Sequence, residues 1–136
     1  MKTVRRDDLI EPELCYKIVG ALFDVSNELG PDHKENVYQK ALGKALDSRG
    51  LSYEGQVHVP LTFQGAKVGF YYLDFLVDKK IILEIKSGSR FIPRNFKQVE
   101  GYLSALNLPL AILAYFGKDG VTFKRVVNKE LLKQDS

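Results

Sequence analysis

The chain has 136 residues, 45% of them hydrophobic, and a formal net charge of +3. A chain of this length predicts a single domain over residues 1–136 with a core of its own, and it argues against two domains. The mild basic excess permits a polyanionic partner, but it is far below the charge density of a histone-like binder.

The single cysteine, Cys15, excludes an intramolecular disulfide and predicts a buried thiol in a reducing compartment. Residues 1–10 are polar, are expected to be loose, and lack the apolar region of a secretory signal. No run approaches the roughly 18 apolar residues of a membrane span. We therefore expect a cytoplasmic protein without a membrane partner.

Two amphipathic helices are predicted first. One begins at Pro12, which the first helical turn tolerates, and ends at Gly30 and Pro31. The other begins near Asp32, which is a residue type suited to an N-cap, and ends at Gly50. Both have apolar residues at helical spacing, so we expect them to pack on one face of a sheet.

Strands are predicted from residue 51 onward, where apolar and polar residues begin to alternate. The first strand is expected to end at Pro60, and a shorter one covers residues 61–63. Two runs rich in aromatic and β-branched residues follow, over 67–77 and 81–86. Only three residues separate these two runs, which predicts an antiparallel hairpin.

A third helix is predicted from Pro93 to about Asn107, followed by an apolar strand over 110–116 and a last strand over 121–127. The tail is expected to add one helical turn. The order α-α-β-β-β-α-β-β predicts an α/β (α+β) fold, in which helices flank a mixed β-sheet.

The predicted hairpin has one register that separates its charges from its apolar residues. Side chains alternate along a strand, so pairing Val77 with Ile81 gives a wholly apolar face formed by residues 73, 75, 77, 81, 83 and 85. The same register sets Asp74 opposite Glu84. It also sets residue 76 opposite 82 and residue 72 opposite 86.

Carboxylates placed opposite each other in a sheet repel, because their Cβ atoms are only about 4.5–5.5 Å apart. A hard divalent cation compensates this repulsion, since Mg²⁺ binds carboxylate and carbonyl oxygens and retains water. Lys86 projects to the same side as Glu84. The E-x-K tripeptide alone is more typical of a solvated ion pair, but its apolar flanks and the facing Asp74 favour a metal site.

The hairpin pattern D-x9-E-x-K resembles the PD-(D/E)xK nuclease superfamily, although Leu73 stands where the superfamily name has proline. Nearly the whole chain is similar to its small bacterial and archaeal branch, the GxxExxY proteins. Glu35 and Tyr38 stand at the E and Y of that name, and Asp32 replaces its first glycine. Alternatively, Tyr38 is simply a core aromatic residue whose hydroxyl is satisfied at the surface.

This resemblance implies a site for Mg²⁺ or Mn²⁺. Asp74 and Glu84 would be ligands, the carbonyl of Ile85 a third ligand, and Glu35 would reach the metal from the second helix. Lys86 would support the attacking water or the phosphate charge. Alternatively, Glu35 only favours the N-terminus of its helix.

The resemblance also implies a role for the helix after the hairpin. Gln98 and Tyr102 match the Q-x3-Y signature of exonuclease-like members of the superfamily, and their spacing places both on one helical face. Arg90, Arg94 and Lys97 lie where phosphates would approach. Alternatively, Tyr102 is a core aromatic residue, and Gln98 and the cations form an ordinary solvated face.

The sequence therefore predicts a Mg²⁺- or Mn²⁺-dependent nuclease that hydrolyses phosphodiester bonds through metal-activated water, with DNA as the expected substrate. The alternative is a non-catalytic nucleic-acid-binding or assembly module with the nuclease fold, whose specificity comes from a homodimer or another partner. A general protein-interaction domain is a third alternative. No Cys/His cluster predicts zinc, and no phosphate-binding loop motif occurs.

Overall fold

A computed structural model describes residues 10–134, which form a five-stranded sheet flanked by helices. The helices are α1 (Pro12–Leu29), α2 (Glu35–Ser48), α3 (Pro93–Leu106) and α4 (Lys129–Gln134). The strands are β1 (Tyr53–Phe63), β2 (Ala66–Val77), β3 (Ile81–Ser87), β4 (Leu110–Gly117) and β5 (Gly120–Val127). The predicted fold class and element order are confirmed, including the helical turn near the C-terminus.

The sheet has the spatial order β1-β2-β3-β4-β5. β3 and β4 are parallel because α3 connects them across one face, and the other neighbouring strands are antiparallel. The prediction that the first strand ends at Pro60 is wrong, since β1 continues through it to Phe63. Proline is tolerated there because β1 is an edge strand, so a missing N–H costs no ladder bond on its free side.

Two apolar clusters cover the two faces of the sheet. α1 and α2 pack on one face, as predicted, and enclose the buried free thiol of Cys15. α3 packs on the other face. Of the segment 1–10 expected to be loose, only Ile10 lies within the described residues, and its side chain is buried against the first cluster. No helix of the described region is long and apolar enough to span a bilayer.

The start of α2 differs from the prediction. The N-cap position is Lys34, without a side-chain capping bond, whereas Asp32 lies before the helix with a φ of 70°. This left-handed conformation is open to glycine and is tolerated by aspartate, but β-branched side chains clash with it. Asp32 therefore forms the turn between α1 and α2 and does not cap α2.

Substitution of Asp32 tests this assignment. We expect Asp32→Gly to leave the free energy of unfolding within about 0.5–1 kcal/mol of the wild-type value, because relief of strain offsets the added freedom of the unfolded chain. Asp32→Val is expected to cost roughly 1–3 kcal/mol. Urea denaturation measures both values, and equal stability of the two variants would contradict the left-handed turn.

The register predicted for the β2–β3 hairpin is confirmed where the two backbones pair, with Val77 opposite Ile81 and residues 76 and 75 opposite 82 and 83. The placement of Leu73 was wrong. It packs with Ile82 and the α3 cluster, whereas Phe75 packs with the α1–α2 cluster. The alternation of faces is thus interrupted at residue 74. The expected pair between residues 72 and 86 is also absent, because the ladder ends at residues 75 and 83.

Candidate active site

Asp74 and Glu84 lie where the β2–β3 ladder ends, and their side chains take the place of the next backbone hydrogen bonds. The amide of Asp74 donates to Glu84 Oε1 at 2.9 Å, and the amide of Ile85 donates to Asp74 Oδ2 at 2.8 Å. Asp74 is 9% exposed and Glu84 only 3% exposed. Two carboxylates are therefore buried side by side between diverging strands, and we call this pair the carboxylate wedge.

The carboxylate wedge receives further donors from two elements. Gln39 of α2 donates through Nε2 to Asp74 Oδ1 at 2.9 Å. Lys86 Nζ lies 3.4 Å from Glu84 Oε2 and donates to Gln98 Oε1 of α3, also at 3.4 Å. The sequence prediction that Lys86 lies on the same side as Glu84 is confirmed by this contact. The wedge is thus held by the hairpin, α2 and α3 together.

Burial makes ionisation of the carboxylate wedge costly. It raises the pKa of Glu84 from its ordinary 4.5 to about 8, with a second contribution from the negative charge of Asp74. Burial also raises the pKa of Asp74, partly offset by the Ile85 amide and increased by the charge of Glu35. Such a site is suited to bind a cation, because a nearby positive charge would stabilise the ionised form of both carboxylates.

The carboxylate wedge lies beside a cleft of about 820 Å³, within the size range of ligand-binding pockets. Lys86 and Gln98 line it together with Glu35, Arg94, Lys97 and Tyr102. Most of the residues predicted from the sequence thus meet at one cleft. Arg90 does not line it, and lies exposed in the loop before α3.

Tyr102 is nearly buried in the α3 cluster and also borders the cleft. Burial, followed by the charges of Glu84 and Asp74, raises its pKa above the ordinary value for tyrosine. Its hydroxyl therefore stays protonated at neutral pH, where it can donate a hydrogen bond. The ring of Tyr102 thus belongs to the core, as the alternative interpretation holds, and it also borders the cleft. A role of Tyr102 in the site stays a prediction.

Tyr38 has a structural role at the turn between α1 and α2. Its ring stacks on Phe116 at 4.3 Å between centroids, and its hydroxyl donates to the carbonyl of Gly30 at 2.7 Å. The amide of His33 donates to the same hydroxyl oxygen at 3.4 Å. Tyr38 thus ties the α1–α2 turn to the core, as the alternative interpretation holds, and fixes where α2 begins. That start positions both Glu35 and Gln39.

The donor set contains the hard oxygen atoms that divalent cations such as Mg²⁺ prefer. Asp74 and Glu84 supply two adjacent carboxylates. The backbone carbonyl predicted as a further ligand belongs to Ile85, which follows Glu84 in β3 and whose amide contacts Asp74. Among residues 10–134, however, no three His, Cys, Asp or Glu side chains lie close enough to form a metal cluster. A cation here would be held by two side chains, backbone and water, which is the usual arrangement for Mg²⁺.

Two residues of the site were missed from the sequence. Gln39 lies four residues after Glu35 and so on the same face of α2, and this spacing from Glu35 is the one signal that could have found it. Tyr71 of β2 borders the cleft with its ring 6.2 Å from that of Tyr102. Nothing in the hairpin pattern distinguished it from the neighbouring aromatic residues.

The family model of the PD-(D/E)XK nuclease superfamily matches residues 12–126. The match spans most of the chain and includes the whole carboxylate wedge, so the chain belongs to this nuclease superfamily. Members of the superfamily generally use divalent metal ions.

Solved structures with a similar fold include SSO0001, at 19% identity and a TM-score of 0.54, with 92% of this chain and 64% of that chain covered. This chain thus spans less than two thirds of SSO0001. A phage-related exonuclease from Haemophilus somnus 129PT has 11% identity and a TM-score of 0.50, with 99% and 82% covered. The alkaline exonuclease LHK-Exo from Laribacter hongkongensis has 11% identity and a TM-score of 0.48, with 88% and 86% covered. At such low identities, the similarity supports a shared fold and nothing about function. No curated protein matches the sequence.

Proposed function

We propose that this chain is a Mg²⁺- or Mn²⁺-dependent nuclease that hydrolyses phosphodiester bonds in DNA. One observation carries the proposal, namely the carboxylate wedge of Asp74 and Glu84 with Lys86 in contact, beside a cleft lined by Arg94 and Lys97. Buried carboxylates suit the cation and basic side chains suit the phosphates. Membership of the superfamily supports a nucleic-acid substrate.

Asp74 and Glu84 would hold the cation, with the carbonyl of Ile85 as a further ligand. Glu35 is the candidate for a contribution from α2, because its charge acts on Asp74 and its side chain borders the cleft. When bound, the cation supplies positive charge against the charge that develops on the phosphate and makes water a better nucleophile near neutral pH.

The chain's own side chains complete the proposed mechanism. Lys86 holds a positive charge between Glu84 and Gln98, where it attracts a phosphate oxygen and orients water. Gln98 accepts from Lys86 through its oxygen and thereby positions the ammonium group. Tyr102 keeps its proton because its pKa is raised, so its hydroxyl is a hydrogen-bond donor at the cleft. The leaving group would take its proton from water.

We further propose that the chain belongs to the GxxExxY branch. Position 32, where that branch has glycine, adopts the left-handed conformation that favours glycine, and Glu35 and Tyr38 stand at the first turn of α2. The Tyr38 hydroxyl donates a hydrogen bond to the carbonyl of Gly30 in the α1–α2 turn, and Glu35 borders the cleft. Cytoplasmic location and a homodimer remain part of the proposal.

A cleavage assay tests the proposed function. Purified protein is expected to degrade or nick DNA with Mg²⁺ or Mn²⁺ and to lose this activity in EDTA. Asp74→Asn should abolish cleavage, whereas Asp119→Asn, the same change in the exposed β4–β5 turn, should leave it intact. DNA and RNA substrates of the same sequence identify the nucleic acid. Cleavage that survives in Asp74→Asn at the wild-type rate would refute the assignment.

Lys86 is expected to matter for the rate more than for cation binding. We predict that Lys86→Ala lowers single-turnover cleavage by about 10²- to 10³-fold, because a preorganised donor is lost from the site. Affinity for Mn²⁺, measured by calorimetry, should be largely retained. Lys118→Ala, in the β4–β5 turn, is the matched control. A Lys86→Ala protein that cuts at the wild-type rate would remove Lys86 from the mechanism.

One observation favours the non-catalytic module as a second candidate. Every carboxylate oxygen of the wedge already contacts a protein donor: Gln39, the amides of residues 74 and 85, and Lys86. Such a wedge is able to hold the strands together without a cation. Calorimetry separates the two candidates, since divalent binding that requires Asp74 and Glu84 supports the nuclease. DNA binding that is indifferent to divalent ions, without cleavage, supports the module.

A further inference from the structure

The β1–β2 ribbon extends beyond the rest of the sheet. β2 pairs with β3 only through residues 75–77, whereas β1 and β2 stay paired from residues 53 and 77 to residues 63 and 66. We call residues 57–72 the arm. A two-stranded ribbon has little stability of its own, yet this one exposes large apolar side chains: Leu61, Phe63, Val68, Phe70, Tyr71 and Tyr72. Exposed apolar surface of this kind often marks a binding site.

The two faces of the arm differ. Residues directly opposite each other share a face, so one face carries Tyr72 opposite His58 and Phe70 opposite Pro60. The rings of His58, Phe70 and Tyr72 contact one another at 4.9–5.7 Å between centroids, and Lys67 lies over Phe70. We call this the outer face, because its residues do not line the cleft.

The other face borders the cleft. It carries Tyr71 opposite Val59 and Gly69 opposite Leu61, and all of these except the glycine line the cavity. Tyr71 is 46% exposed, and its ring rests edge-to-face on Tyr102. The Tyr71 ring is therefore packed against Tyr102 on one side and exposed on the other. Of the three consecutive aromatic residues 70–72, only Tyr71 points to the cleft.

Gly69 leaves space beside this ring. A Cβ atom at position 69 would meet only Leu61 Cδ1, at 3.8 Å, so packing does not require glycine there. The φ angle of Gly69 is not positive, so the backbone conformation does not require glycine either. Glycine inside a strand weakens it and often marks close approach of a ligand. Gly69 thus adds no side chain beside Tyr71 on this face of the arm.

The cleft also has basic side chains. Arg94 and Lys97 of α3 line the same cavity as Tyr71, and so does Lys86 of β3. Sites for unpaired nucleic acid combine these two features, a cationic groove that follows the phosphates and aromatic rings on which bases stack. A base inside a duplex has no free face for such a ring, because the neighbouring base pairs cover both of its faces.

We propose that the cleft binds an unpaired DNA strand, with one base stacked on Tyr71 above Gly69 and the adjacent phosphates on Arg94 and Lys97. The substrate is then single-stranded DNA or the unpaired end of a duplex. This inference rests on the proposed function, in that nucleic acid must enter this cleft. It adds that the bound strand is unpaired, and it assigns Tyr71 as a specificity-determining residue.

Binding without cleavage tests this proposal. Fluorescence of 2-aminopurine in a short single strand reports base stacking, and the chain contains no tryptophan to interfere. In EDTA, Tyr71→Ala is expected to bind this strand about 5- to 100-fold more weakly and to lose the quenching of 2-aminopurine. Tyr71→Phe should retain both, because the ring and not the hydroxyl stacks. Tyr72→Ala, on the outer face, is the matched control and should bind as the wild type does.

Two comparisons complete the test. A blunt duplex of the same sequence should bind more weakly than the single strand and be indifferent to Tyr71→Ala. The double variant Arg94→Ala/Lys97→Ala should reduce the slope of log affinity against log salt by roughly one to two. If Tyr71→Ala and Tyr72→Ala weaken binding equally, or if the duplex binds as tightly as the single strand, the proposal fails. Wild-type self-association through the arm, abolished by Tyr71→Ala and unaffected by DNA, would also overturn it.

The binding assay is independent of the cleavage assay. If base stacking depends on Tyr71 but the protein never cuts DNA, the nuclease proposal is contradicted and the preference for unpaired DNA is retained. If the protein cuts single and double strands equally well with and without the Tyr71 ring, the preference for unpaired DNA is contradicted and the nuclease proposal is retained. The folded state of each variant is checked by thermal denaturation before the affinities are compared.

Discussion

Glu84→Gln is expected to lower DNA cleavage by about 10³-fold or more while leaving the protein folded. The amide keeps an oxygen that can accept from the Asp74 amide, as Glu84 Oε1 does at 2.9 Å, so the carboxylate wedge retains its shape. It removes the negative charge that a divalent cation needs. The loss should therefore appear in the catalysed step and in cation affinity, not in folding.

The matched control is Glu54→Gln, the same chemical change on exposed β1. Cleavage under single-turnover conditions with saturating Mn²⁺, together with calorimetric titration of the cation, separates the two consequences of Glu84→Gln. Full activity at saturating cation would mean that Glu84 serves binding alone. Full activity at every cation concentration would contradict its assignment to the site.

The position of the carboxylate wedge could be predicted because strand periodicity admits few registers. Only the pairing of Val77 with Ile81 separates the charged from the apolar residues, and the backbone ladder follows it. The sequence also indicated that Lys86 would lie on the same side as Glu84, since residues two apart share a face, and the two side chains are in contact. Here each local preference agrees with the tertiary structure, which is why pattern analysis succeeds.

Deviations from regular geometry could not be predicted. Leu73 packs with the α3 cluster because the alternation breaks at Asp74, whose side chain accepts a backbone hydrogen bond in place of a ladder carbonyl. The facing strand is irregular at the same level, where Gln56 has a φ of 53°. Strict alternation assumes a regular ladder, so it fails where side chains replace the ladder. That failure lies at the proposed active site, where local rules are most often violated.

Residues supplied by other elements were harder still to find. Gln39 reaches Asp74 from a helix 35 residues away in sequence, and no local pattern links the two. Arg90 was grouped with Arg94 and Lys97 because they are neighbours in sequence, yet only the latter two line the cleft. The loop before α3 ends between them, and helical geometry directs side chains only from Pro93 onward. Position in the chain was thus a poor guide to position in the cleft.

The stability of the metal-free protein is expected to fall between about pH 4.5 and pH 8 and then to level off. The unfolded chain releases the proton of Glu84 near its ordinary pKa of 4.5, whereas the folded chain retains it until a pKa of about 8. Over that interval the folded state binds more protons, so a rise in pH favours unfolding. The raised pKa of Asp74 acts in the same direction. The total loss should be on the order of a few kcal/mol.

Divalent cations should reverse this loss, because an ion that binds only the folded state stabilises it by about 2.7 kcal/mol at 100 times its Kd. Thermal denaturation with and without Mn²⁺ at pH 5 and pH 8.5 measures both effects, and the upward shift in Tm should be larger at pH 8.5. Glu84→Gln should lack most of the pH-dependent loss and most of the Mn²⁺ shift, and without the cation it should be more stable than the wild type at pH 8.5. A wild-type profile that is flat between pH 5 and pH 8.5 would show that Glu84 ionises freely in the folded state. The burial of two carboxylates between diverging strands would then not be the feature that makes this site bind a cation.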